Sequence, residues 1–250
     1  MRINSTIFFT IISFFYSFLL IIAYFSKKKI MTPDNRVYSK LIIINFVGIV
    51  LELLCCIFAS NAINFLPFYR FINKLFLTYL IVWCSVFGVY VRLISTNIKE
   101  KSELRRYMNK VITEYVFIDI LLIIQIFRLP VEFNMKNNVV MYSYGPAAKV
   151  VYIGSFIYII LMIISLIKNY KNIKSKKYLP IFTYLVFGTL TTLIQNIIPE
   201  LLLATSMETF VTVIMYFTIE NPDANIIEEI HNAKVISDNA NYEKTMFLYD

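Results

Sequence analysis

The chain has little of what soluble enzymes depend on. Charged residues make up 16% of its 250 positions, where ordinary soluble domains carry about 25%. There is one histidine, His231. That leaves no HExxH metal site and no serine with a histidine base. Five glycines serve the whole chain, and none of them builds a phosphate-cradling loop. The three cysteines, Cys55, Cys56 and Cys84, all sit in apolar runs without metal-ligand spacing and read as small core hydrophobes. Short alternating segments of the kind a β-barrel uses are not seen.

What the chain does have is long apolar runs. Hydrophobic residues make up 58% of it, and mean hydropathy is +0.67. Runs of about 18 or more apolar residues are long enough to cross a hydrocarbon core as helices. Seven spans are expected, at 5–25, 41–60, 73–95, 111–130, 150–168, 179–198 and 201–219. The first has its lysines after it (Lys27, Lys28, Lys29) and no small-residue cleavage site, so it reads as a retained span and not a signal peptide. The net charge of +8 does not indicate nucleic acid. Eighteen of the 24 Lys and Arg fall in loops 26–40, 92–110 and 168–177 and in the tail. By the positive-inside rule that side is cytoplasmic, which puts the N-terminus outside and the C-terminus inside.

One outer loop has content. Val131–Tyr144 is rich in β-branched and aromatic residues around Lys136-Asn137-Asn138, which predicts a short hairpin ended by Gly145-Pro146. Beyond the last span, Pro222 predicts a break near Asn221, followed by a helix from about Ala224 to Leu248. On that helix Ile226, Ile230, Ala233, Ser237, Ala240, Lys244 and Phe247 recur at spacings of four and three, a heptad seam that Ser237 and Lys244 interrupt. The expected role is a signalling linker that pairs with its copy in a homodimer. The competing reading is a lone amphipathic helix on the membrane surface, which the acidic tail disfavours.

Ionisable groups inside a bilayer cost about 2.5–3.5 kcal/mol each on insertion scales, so they need a reason. Glu52, Asp119 and Glu208 lie within spans two, four and seven. Span seven carries Thr205, Glu208 or Thr209, and Thr212 as one stripe; span six carries Gly188, Thr192, Gln195 and Asn196 as another. Pro199-Glu200 makes the turn between them tight. Two readings stand. In one, Gln195, Asn196, Glu200 and Glu208 line a polar, signal-sensing cavity in the outer half. In the other, these residues hydrogen-bond helix to helix. Trp83 is assigned to an interfacial anchor or to packing.

The segment Thr218–Leu248 resembles the join between a membrane sensor and the dimerisation helix of a bacterial sensor histidine kinase. The likeness lies in the turn Glu220-Asn221-Pro222-Asp223, the acidic alanine-punctuated IIEEIHNAKVISDNAN, and Lys244-Thr245-Met246-Phe247-Leu248. Tyr38, Tyr142–Pro146 (YSYGP) and Pro199-Glu200 also resemble multi-span sensor kinases of low-GC bacteria. The likeness covers nearly the whole chain through short motifs. It implies a sensor domain at 1–219 and a linker at 220–250 in a bacterial plasma membrane, in contact with lipid. It also implies a departure from the family: the phosphoacceptor box, with its His, acid, Arg and Pro, would fall just beyond Asp250. So would the ATP-binding domain, its ATP and magnesium, and the contact with a response regulator. His231 precedes Asn232-Ala233-Lys234 and does not fit that box. No catalytic residue and no cofactor is therefore expected within these residues, and no nucleic-acid partner. The rival readings are the same sensor feeding a cyclic-dinucleotide cyclase, a small transporter, and a membrane protein whose tail recruits a partner. A transporter predicts an internal repeat or paired Gly/Pro-broken spans, and neither is seen.

Overall fold

The computed structural model describes residues 7–27, 32–96, 98, 100–136, 139–169, 178–198, 200–220, 227, 230, 233–239, 241 and 242. Seven long helices form among them: α1 (Ile7–Phe25), α2 (Pro33–Phe58), α3 (Leu66–Ser95), α4 (Lys101–Arg128), α5 (Pro146–Asn169), α6 (Tyr178–Ile197) and α7 (Ala204–Met215). A 3-10 turn at Ala59–Asn61 ends α2, and a π turn at Tyr216–Glu220 continues α7. The protein is all-α apart from one hairpin. Among the described residues four helices are long and apolar enough to cross a membrane: α1, α2 with its 3-10 turn, α3 and α5.

The helices are apolar on the wrong side for water. On α1, Thr10 and Ser17 are fully buried while Phe15 and Leu19 are 59% and 60% exposed. Spacing of three and four sets Thr10, Ser13, Ser17, Leu20 and Tyr24 along the inner face. A polar stripe turned inward and an apolar one turned outward make sense where the surroundings are lipid, because the hydroxyls then find partners only inside the bundle. The same holds for α5, whose Ile153, Phe156 and Ile167 face out. The chain is therefore a membrane protein on both composition and packing.

The local signals are legible at the helix ends. Thr32 caps α2 by accepting from the Asn35 amide at 3.4 Å, with Pro33 at the first position and Asp34 in the first turn. At the centre runs α3, buried along most of its length. It packs on α2, α4 and α5, while α7 packs on α1, α2 and α6. The helices run past several expected bounds. Thus α3 begins at Leu66 and α4 at Lys101, the latter carrying its basic first turns as helix. Trp83 is fully buried against Phe87 and Tyr184, so it is core packing and not an interfacial anchor.

The expected hairpin is present. Its strands β1 (Glu132–Lys136) and β2 (Val139–Tyr144) pair antiparallel, Glu132 opposite Tyr144, with an irregularity between Asn134 and Met135. Val140 and Phe133 seal it onto Ala59, Ala62 and Tyr69 at the α2–α3 corner. The Glu132 carboxylate beside the Tyr144 phenol raises the phenol's pKa above its ordinary value. Gly145 then turns the chain into α5 with φ of 97°, and Ala147 N–H donates to the Pro130 carbonyl at 3.3 Å to close the base. A side chain is strained at that φ by about 1–2 kcal/mol. Gly145→Ala is expected to lower stability by that amount, read as the thermal midpoint of the purified protein. An unchanged midpoint would contradict the turn geometry.

Candidate functional site

The stripe on α7 is built by helical spacing. Thr205, Glu208, Thr209 and Thr212 are all buried on one face. That face is turned toward α1, α2 and α3. Its other flank, with Met207 against Gly188 and Phe210 against Phe187, meets α6.

Three helices reach this stripe. From α2, Glu52 Oε2 accepts the Thr205 hydroxyl proton. About two turns earlier on the same helix, Asn45 Nδ2 donates to Thr209 Oγ1 at 3.0 Å and to Ser17 Oγ of α1 at 3.4 Å. From α3, the Tyr79 hydroxyl donates to Glu208 Oε2 at 2.5 Å and lies 3.4 Å from Asn45 Oδ1. Ser13 of α1 donates to Ser206 at 2.9 Å, and Tyr38 of α2 donates to the Thr212 carbonyl at 2.8 Å. The threonines also bond back along the helix, Thr209 to the Thr205 carbonyl and Thr212 to that of Glu208, both at 2.7 Å. The result is one connected polar network through Ser17, Asn45, Glu52, Tyr79, Thr205, Glu208 and Thr209. It clamps α7 to the other half of the bundle.

Its geometry depends on a glycine. A Cβ at Gly48 would fall 1.9 Å from Tyr79 Cζ. The phenol ring therefore lies flat on the bare α2 backbone, which sets its hydroxyl over both Asn45 and Glu208.

A second constellation lies on the other side of α3. Asp119 of α4 accepts from Ser85 of α3 at 2.7 Å and from Tyr158 of α5 at 2.5 Å. Cys84 sits 3.2 Å from the Tyr184 hydroxyl and 3.7 Å from Ser155 Oγ, which joins α3, α5 and α6. Arg92, in the last turn of α3, donates to Glu114 in the middle of α4 at 2.6 Å.

The candidates named from sequence thus divide. Glu52 and Glu208 enter one network, and Asp119 enters the other. Gln195 closes the α6–α7 turn by donating to the Leu201 carbonyl at 2.9 Å, and Glu200 is half-buried in that turn. The expected shared cavity of Gln195, Asn196, Glu200 and Glu208 is not what these contacts form. Among the described residues no hydrogen bond joins Glu208 to α6, because its stripe faces α2 and α3 instead. The Asn196 side chain lies outside the described residues. So do Pro222, Ile226, His231, Ala240 and Phe247, as does the expected break at Asn221. Ile230, Ala233 and Ser237 are helical and exposed. Sequence reasoning missed Asn45, Tyr79, Ser85 and Tyr158. Asn45 had a signal, being an amide in an apolar run three residues before Gly48 and seven before Glu52, on one helix face.

Chemically the arrangement holds helices rather than a substrate. Among the described residues no group of three or more His, Cys, Asp or Glu is placed to hold a metal ion. Compared with known proteins, the chain matches no family model and no curated protein.

Two glycines separate a rigid contact from a yielding one. At Gly154 an added Cβ would meet the Ile81 and Leu122 methyls, the free ends of side chains. Gly48→Ala must displace the Tyr79 ring and uncouple Glu208, an expected cost of about 2–4 kcal/mol from overpacking and a lost buried bond. Gly154→Ala is expected to cost less. Thermal melts of the two variants in the same detergent check the order, and equal costs would contradict the clamp geometry.

Proposed function

We propose that this chain is the membrane input module of a bacterial sensor histidine kinase. The bundle crosses the plasma membrane about seven times with its N-terminus outside. The last helix carries a signal into a cytoplasmic linker that pairs with a second copy. The kinase half, with its phosphoacceptor histidine, ATP and magnesium, lies past Asp250, and a response regulator is its partner. The positive-inside bias and the family-like turn and linker motifs support this reading.

The observation that carries it is the grip on α7. A helix held through hydrogen bonds to three neighbours can exchange those partners in discrete steps. Each such bond within a membrane is worth only about 0.6–2 kcal/mol. A shift of α7 by a fraction of a turn then changes the state by a few kcal/mol, the range in which a signal can move a two-state equilibrium. A π turn directly follows α7 at Tyr216–Glu220. Such turns are rare and frequently lie at functional sites. The linker beyond presents Ile230, on the seam, at 63% exposure in the single chain, apolar surface that a partner helix can cover.

Two measurements test this. The transcript read across codon 250 is expected to continue into a His-Glu-x-x-Arg-x-Pro-like box and an ATP-binding domain. A stop codon there overturns the kinase reading. Separately, with the chain in its native membrane, Ile230→Cys and Ser237→Cys are expected to form intermolecular disulfides on mild oxidation. Val235→Cys, off the seam, is expected to lag several-fold. Equal cross-linking at all three positions, or none, removes the paired linker.

A further inference from the structure

The clamp holds two carboxyls and no basic group. Glu52 and Glu208 are both buried, and Glu52 binds Thr205, about one turn from Glu208 on α7. The titratable groups around them are Tyr79 and Cys84 of α3, Tyr184 of α6, and Cys55 and Cys56 beside Glu52 on its own helix. From α1 come only hydroxyls. None of these supplies positive charge.

The donors do not close the account. Each carboxyl takes its side-chain hydrogen bond on one oxygen, Oε2, from Thr205 or Tyr79. Thr10 of α1 is fully buried and directed at the Glu52 carboxyl. Its hydroxyl approaches that carboxyl without reaching hydrogen-bond geometry to any group. Buried hydroxyls are nearly always bonded, and buried carboxylates nearly always paired, so this corner is built for something further. The Asn45 carbonyl oxygen faces the same network. All the offered ligands are hard oxygens. A divalent ion wants six or more of them, commonly with waters, and no cluster of three or more acids or imidazoles is present among the described residues.

We propose that the Glu52–Glu208 pair takes up small monovalent cations, protons or sodium, and that this uptake lets α7 dock. A proton forms an O–H bond on the carboxyl oxygen left free by Thr205 or Tyr79. Thr10 Oγ1 then accepts from Glu52. A sodium ion would instead sit among those oxygens, with the carboxylates as its counter-charge. With neither bound, α2 and α7 each bring a bare carboxylate into the same buried network, and like charge with desolvation drives the helices apart. The inference names a ligand class for the sensor reading and rests on it only for the meaning of the α7 movement. Binding itself is a property of the bundle, whatever the output.

The experiment reads binding without reading any kinase. The purified chain, in lipid nanodiscs, is melted in sodium or choline chloride at constant ionic strength and fixed pH, and then across pH in choline. A midpoint that climbs by several degrees with sodium at fixed pH assigns sodium. A midpoint that climbs on acidification without sodium assigns the proton. Glu208→Gln or Glu52→Gln is expected to abolish the dependence, and Asp119→Asn to leave it intact. A wild-type midpoint indifferent to both ions overturns the proposal, even if the variants fail to fold. So does a dependence undiminished in both glutamine variants, or one produced by calcium or magnesium instead. None of these failures touches the linker cross-links, which test the sensor reading separately.

Discussion

The structure depends on one constraint: a polar side chain inside an apolar bundle in lipid must find its partner on another helix. Water is not there to take the bond, and the outer faces of α1 and α5 offer only hydrocarbon. The positions of Asn45, Glu52, Tyr79 and Glu208 therefore decide which helices touch and in what register. Hydrophobic burial cannot do this in a membrane, because an isoleucine is as content against lipid as against another helix. Small residues then set how close the backbones come. Gly48 is the clearest instance, since Tyr79 reaches its two partners only by lying on it.

The constraint gives the bundle two faces joined along α3. One face, through Asp119, Tyr158, Cys84 and Arg92, ties α3 to α4, α5 and α6. The other, through Tyr79, reaches α2 and α7. A change at α7 is thus felt first by α2 and α1, and by the hairpin only through the α2–α3 corner where Val140 and Phe133 pack. That separation suits a bundle in which one element moves while the rest stays a frame. The bonds that move are few, and each is modest in energy. The network is cooperative because Asn45 serves three partners and Tyr79 two.

Much of the fold was legible from residue order. The apolar runs located all seven helices, and Lys136-Asn137-Asn138 between β-branched residues located the hairpin. Helix ends were less so. The basic turns of α4 read as loop because charge was taken as the end of a span, whereas a helix keeps its backbone bonds beyond the end of its apolar run. The stripe on α7 was visible from spacing alone. Its direction was not, because chain neighbours suggested α6 as the partner. What decided the matter was Glu52 and Asn45 on α2, far away in sequence and seven residues apart on one face. Tyr79 and Tyr158 were hidden among 18 tyrosines, since nothing in a tyrosine's immediate neighbours tells a packing ring from a donor.

The central claim is that Tyr79 and Glu208 act as one unit in holding α7. A double-mutant cycle of Tyr79→Phe and Glu208→Leu, read as unfolding free energy in nanodiscs, tests it most directly. Each single change removes the same bond, so the pair together is expected to cost less than the sum of the two by about 1–2 kcal/mol. Strictly additive costs would mean that the two side chains do not speak to each other, and the clamp on α7 would have to be abandoned.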